Sequence, residues 1–264
     1  MNKILVPVDF SDISMNALFY AIKLFESSNF EITLLHTYDM SSNAFSVKSM
    51  DRILADDAKQ QMETLLDKVY KEEPGIVLKT KILKGDAIPA ISKLGNSGAY
   101  DFIVMGTKGA SGLKEVFLGS VAGGVISKTK APVLVVPGSY TFKTLNEIVF
   151  AVSGIVLSNK TVVEPLRKLA KLHQCKIKVL HIDEGKMHDF EEVLKTIEDL
   201  NPSVTFAFGS GKINQRLNEF LIKNDAGLQC LIRGKKNIFS RIFDDSVTLK
   251  QTFNSPVPLL IIHN

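Results

Sequence analysis

Ile4-Leu5-Val6-Pro7-Val8-Asp9-Phe10-Ser11-Asp12 changes period within nine residues. Five apolar residues in a row fit a strand covered on both faces, because a half-exposed strand would alternate with polar residues. Ser11 and Asp12 can then take up free N–H groups at a helix start, and Ala17, Leu18, Ala21, Ile22, Leu24 and Phe25 follow on one broad side. Strand-like runs recur at Ile32-Thr33-Leu34-Leu35-His36, Ile76-Val77-Leu78, Phe102-Ile103-Val104-Met105 and Val133-Leu134-Val135-Val136. Helical spacing fills the gaps: over about residues 46–72, after Gly85-Asp86 with Pro89 in the opening turn, and from Gly119-Ser120 onward. Alternation carried through five strands predicts a doubly wound α/β domain over residues 1–138, with a parallel sheet and helices on both faces.

The pattern then begins again. Glu147-Ile148-Val149-Phe150-Ala151-Val152 parallels Lys3-Ile4-Leu5-Val6-Pro7-Val8, and Lys178-Val179-Leu180-His181-Ile182-Asp183 parallels the segment around Leu34-Leu35-His36. Cys230-Leu231-Ile232-Arg233-Gly234 echoes Ile103-Val104-Met105-Gly106, and Pro258-Leu259-Leu260-Ile261-Ile262 echoes Pro132-Val133-Leu134-Val135-Val136. Four matches in the same order predict a tandem duplication, with a linker near residues 138–144 and a second domain over residues 145–264. The second copy is shorter: residues 184–201 stand where the first has residues 39–73, with one modest helix signalled by Phe190, Val193, Leu194 and Ile197.

The chemistry concentrates between Gly106 and Ser120. Gly106-Thr107-Lys108-Gly109 follows directly on a buried strand, and the ligand crevice of an open parallel sheet lies beyond the carboxyl ends of its strands. Glycines at 106 and 109 let main-chain N–H groups approach an anion, and Lys108 adds charge. Gly119 and Ser120 open a helix, where unpaired N–H groups and the helix dipole favour phosphate. Spacing alone leaves an ordinary turn open as the alternative. Neither the P-loop nor the dinucleotide fingerprint is present, since no Gly-Lys-Ser/Thr follows and the first strand leads into Asp9-Phe10-Ser11 instead.

Gly106, Gly109, Gly119 and Ser120 have the spacing Gly, two residues, Gly, nine residues, Gly, Ser, and in this the chain resembles the universal stress protein family. The opening Ile4-Leu5-Val6-Pro7-Val8-Asp9, the Leu34-Leu35-His36 strand and the closing Ala131-Pro132-Val133-Leu134-Val135-Val136-Pro137 are similar to it as well. The likeness spans the whole first copy and, more faintly, the second, as in a tandem-domain member. It implies five-stranded parallel sheets in the order 3-2-1-4-5, ATP (with or without magnesium) on the glycine signature, and pairing of domains through their last strands, here within one chain. It also implies that Asp9 accepts hydrogen bonds from ribose hydroxyls and that backbone groups at Thr37 read the adenine edge, with Pro7, Val8, Met105, Lys108 and Val121 completing the site. Against these stand a turn aspartate for Asp9, a strand end for Thr37, and core packing for Met105 and Val121.

The second copy departs from this signature. Aligning Gly234 with Gly106 puts Asn237 at the place of Gly109 and Asp245 at that of Gly119, while Ser153 stands for Asp9. A carboxylate at the phosphate-receiving helix start repels a triphosphate, so the second domain is expected to have lost ATP. Lys235, Lys236 and Arg241 read as a solvated loop. His36 and His181 read as structural strand histidines, Lys79-Thr80-Lys81 as a solvated strand or loop face, and His181, Asp183 and His188 make only a weak metal constellation.

Of the 264 residues, 45% are apolar and 23% charged, which excludes disordered and fibrous classes. The formal charge of +4 is not concentrated: residues 1–138 carry 15 basic and 15 acidic groups, the remainder 17 and 13. No concentrated basic face argues for nucleic acid as the main partner, and no run reaches the roughly 18–20 apolar residues that cross a bilayer. Met1-Asn2-Lys3 runs straight into a strand, and Cys175 and Cys230 lie far apart in apolar runs as buried free thiols, so a cytoplasmic protein is expected. The functional expectation is an ATP-responsive stress sensor or regulator. A nucleotide-free interaction scaffold and a slow ATPase are the alternatives; a homodimer and an unidentified protein partner stay open. No arrangement of carboxylates or arginines insists on hydrolysis.

Overall fold

The structure is a computed structural model that describes residues 1–39, 47–107, 119–152, 157, 159–182, 191–207, 213–233 and 255–264. Its centre is a single ten-stranded sheet. In chain order the strands are β1 (Asn2–Pro7), β2 (Phe30–Tyr38), β3 (Leu78–Lys84), β4 (Phe102–Thr107), β5 (Val133–Pro137), β6 (Glu147–Val152), β7 (Lys176–Ile182), β8 (Ser203–Ala207), β9 (Leu228–Arg233) and β10 (Leu259–His263). Across the sheet they run β3-β2-β1-β4-β5-β10-β9-β6-β7-β8. Each half is therefore a parallel five-stranded sheet in the order 3-2-1-4-5. The halves join through their last strands, where β5 meets β10 antiparallel with Leu134 opposite Leu260.

Helices cover both faces. On one lie α1 (Asp12–Phe25), α2 (Val47–Glu72), α5 (Glu164–His173) and α6 (Glu191–Thr196); on the other α3 (Ala87–Gly95), α4 (Ser120–Lys128) and α7 (Ile213–Lys223). Strand residues divide between the two layers by alternation: Ile4 and Val6 pack toward α1, Leu5 toward α3 and α4. Both faces being buried is why β1 reads as an unbroken apolar run. Each layer crosses the β5–β10 seam, so Leu134 and Leu260 belong to one cluster, Val135 and Leu259 to the other.

The third strand departs from expectation. Ile76 and Val77 precede β3, Val77 is largely exposed, and the strand runs instead through Leu78-Lys79-Thr80-Lys81-Ile82-Leu83-Lys84. As the sheet's outer strand it is half-wet: Lys79, Thr80, Lys81 and Lys84 are exposed and only Leu78, Ile82 and Leu83 are half-buried, so no block of apolar residues marks it. Cys175 is also corrected: it is half-buried in the turn before β7, whereas Cys230 is fully buried in β9, and both are free thiols. Among the described residues no helix is long and apolar enough to cross a membrane.

Candidate functional site

In the order 3-2-1-4-5 the chain winds outward in opposite directions from β1 and β4. The crevice between their carboxyl ends is the topological switch point of such a sheet. A cavity of about 430 Å³ opens there, within the range usual for small-molecule sites. The ends of β1, β2 and β4 form its floor through Pro7, Leu35 and Met105, and α1, α3 and α4 all start at its wall.

The first wall is the turn from β1 into α1. Phe10 adopts φ 64°, a left-handed conformation unusual for a bulky residue and worth about 1–3 kcal/mol of strain. Local bonds hold the turn: Asp9 Oδ1 accepts from the Ser11 N–H at 3.1 Å and from the Ser11 hydroxyl, and Ser11 Oγ caps α1 by accepting from the Ser14 N–H. Burial alone would raise the Asp9 pKa, but hydrogen bonds from Ser11 and Ser14 outweigh it and hold the carboxyl below its ordinary value. Asp9 therefore serves the turn and at the same time places a charged carboxylate on the cavity.

His36 secures the same turn from β2. Its Nδ1 lies 2.8 Å from the Val8 carbonyl oxygen, which can only accept, so Nδ1 carries the proton. Its ring packs against Phe10 with centroids 4.3 Å apart and the planes tilted by 38°. His36 is the structural histidine the strand pattern suggested, and it also lines the cavity.

The second wall is the start of α4. Gly119 is its N-cap, with φ −60° and ψ 155°, and among the described residues no side chain caps the helix. The first intrahelical bond runs from the Gly123 N–H to the Gly119 carbonyl at 2.9 Å, which leaves the N–H groups of Ser120, Val121 and Ala122 without intrahelical partners. All three residues line the cavity. A Cβ built on Gly119 meets nothing within 4 Å among the described residues. Neither the backbone angle nor packing against the described residues requires a glycine here.

Gly106 differs. A Cβ there would stand 2.6 Å from both the Ile13 side chain and its carbonyl oxygen. Its lack of a side chain lets α1 lie against β4, a packing reason for glycine that stands beside the expected approach of an anion. The loop glycine Gly109 and Lys108 lie outside the described residues, as do Ser153, Asp183, His188, Asn237, Arg241, Asp245 and the lysines 235 and 236 of the second copy.

The structure thus brings nine of the expected positions to one cavity: Pro7, Val8, Asp9, Thr37, Met105, Gly106, Gly119, Ser120 and Val121. Met105 is buried, so it is both core and floor, while Val121 is substantially exposed. Ser11, Ile13, Ser14 and Ala87 join them without having been singled out for it. Ser11 and Asp86 were legible as helix starts, but that three helix starts converge follows only from the sheet order.

Comparison with known proteins places this geometry. The family model described as "Universal stress protein family" matches residues 1–137. The chain belongs to the universal stress protein family. Two universal stress proteins of Methanocaldococcus jannaschii are each 34% identical to it, one over 137 residues (51% of this chain, 81% of the relative), the other over 154 residues (51% and 93%). The crystal structure of a universal stress protein from Archaeoglobus fulgidus DSM 4304 matches 99% of this chain and 98% of its own with a TM-score of 0.75 at 21% identity, a likeness of fold. The ten-stranded architecture is thus one that a universal stress protein adopts across the whole length of this chain, and the family model's match ends on the last residue of β5.

Proposed function

We propose that this universal stress protein binds ATP at the cavity between β1 and β4 and acts as a cytoplasmic, nucleotide-responsive sensor or regulator of the stress response. Gly119 carries the reading: a helix start that no described side chain caps, N–H groups without intrahelical partners and, among the described residues, open space where any other residue would put a side chain suit an approaching anion. In this reading the N–H groups of Ser120 and Val121, with Gly106, Gly109 and Lys108, take the phosphates. Asp9 takes the ribose hydroxyls, the backbone at Thr37 the base, and Pro7, Val8 and Met105 the apolar contacts.

The protein's own part is to bind and orient. Asp9 remains an acceptor because its hydrogen bonds favour the charged form, and a carboxylate offers acceptors only. Asp9 is the one carboxylate among the cavity's described lining residues, and the described residues contain no group of three His, Cys, Asp or Glu suited to a metal. A magnesium ion brought in on the phosphates would offset their charge, and the Ser120 hydroxyl at the helix start could serve it as an oxygen ligand. Hydrolysis would be slow at most.

The domain division proposed is residues 1–138 for the nucleotide-binding unit and 145–264 for a degenerate copy without nucleotide. The test is direct: freshly purified protein is denatured and the supernatant resolved by anion exchange. Released adenine nucleotide is the expected result. Repeated absence of nucleotide, with no ATP binding on addition, would favour a ligand-free scaffold, and metal-dependent phosphate release would favour an ATPase.

A further inference from the structure

Two of the helices that open on the cavity are held at their far ends by the other half of the molecule. At the C-terminus of α4, the Ile126 carbonyl has lost its usual helical partner, because the Lys130 N–H donates instead to Asn96 Oδ1 at 2.7 Å. Arg233, the last residue of β9, fills the gap, its Nη1 donating to the Ile126 oxygen at 2.8 Å. At the C-terminus of α1 the Ser28 N–H turns to the Phe25 carbonyl, and His173, the last residue of α5, lies with Nε2 2.8 Å from the Leu24 oxygen. A carbonyl only accepts, so His173 Nε2 donates.

Both contacts do the same physical work. Each satisfies an orphan carbonyl at a helix end, and the guanidinium of Arg233 also places positive charge at the negative pole of α4. Each contact is half-buried and links residues more than a hundred positions apart. The opposite ends of these two helices are the Ser11–Ser14 turn and the uncapped start at Gly119, the two walls of the cavity.

We propose that Arg233 and His173 are positioning residues for the nucleotide cavity. The second half, beyond supplying β10, fixes the axial position of α1 and α4, so that ligand occupancy and the contact between halves are thermodynamically linked. This rests on the nucleotide reading above and adds its route of regulation. An effect transmitted this way must be reciprocal: whatever tightens the clamp tightens binding, and ligand tightens the clamp.

The experiment compares wild type, Arg233→Met and Arg233→Lys by ATP titration and by amide hydrogen exchange. Arg233→Met is expected to weaken ATP binding about fivefold or more and to speed exchange in α4, with exchange in β1 and β2 unchanged. Arg233→Lys, which keeps a cationic donor, is expected to recover much of the affinity. A general loss of stability would raise exchange everywhere and would not be rescued selectively. His173→Met should act in the same direction through α1. Wild-type affinity together with wild-type exchange in α4 for Arg233→Met would overturn the proposal while leaving ATP binding itself intact. Should that variant not fold, saturating ATP must slow exchange at residues 128–130 of the wild type, and unchanged exchange there overturns the linkage. A wild type that binds no ATP contradicts the nucleotide reading instead, and unaltered α4 exchange in Arg233→Met together with unaltered α1 exchange in His173→Met would then remove the clamp as well.

Discussion

Two glycines of one motif do different work. Gly106 lies against Ile13 so closely that a methyl group would overlap both side chain and backbone. Gly106→Ala is therefore expected to cost about 1–3 kcal/mol of stability, read as a lower denaturant midpoint, because α1 must shift off β4. Gly119→Ala is expected to change stability by no more than about 1 kcal/mol, since its backbone angles suit any residue and the space is open. Equal midpoints for both variants would contradict the distinction. His263 gives a second prediction. Burial, and then the neighbouring positive Arg233, lower its pKa to about 4, and its Nε2 is buried without a hydrogen-bond partner among the described residues. The folded chain thus keeps this imidazole neutral where the unfolded chain, near 6.5, protonates it. Stability is complete above about pH 6.5 and falls as the pH drops toward 4, by on the order of 2–3 kcal/mol. His263→Gln should shallow that acid slope in thermal melts at pH 4.5 and 7, and parallel slopes would contradict it.

At the scale of elements, legibility followed burial. β1, β2, β4 and β5 have both faces covered, so an unbroken apolar run was enough to find them, and Ser11 announced α1 by its capping chemistry. β3 hid behind Ile76 and Val77 because it is an outer strand with one neighbour in the sheet, and its exposed Lys79, Thr80, Lys81 and Lys84 break up any apolar run. At the site, Asp9 and Gly119 could be read from their positions after a strand and before a helix. Ile13, Ser14 and His36 could not, because what brings them to the cavity is the approach of α1 to β4 and of β2 to β1. The close contact behind Gly106 was likewise invisible, since spacing shows that a side chain is missing and not which neighbour excludes it.

For the whole molecule, the seam between halves is a continuation of the core. β5 is buried throughout, and its partner across the antiparallel junction is β10. Lys168 pairs with Asp101 and the Tyr140 hydroxyl donates to the Gly227 carbonyl at 3.3 Å, so polar contacts flank the apolar seam. A fragment ending at residue 138 would expose the β5 edge together with Leu134 and Val136. Such an edge recruits another strand, so the fragment is expected to form a dimer or larger species in light scattering. A stable monomer at high concentration would show that β10 is dispensable. In the intact chain, the second copy would then serve the first by closing its sheet and gripping its helices. All of this bears on function only if the start of α4 receives phosphate. Calorimetric titration of ATP into wild type and Gly119→Asp tests that directly. Binding by the wild type, with an affinity loss of about a hundredfold or more in a variant of unchanged fold, is the predicted result. Equal affinity in the two proteins would contradict it.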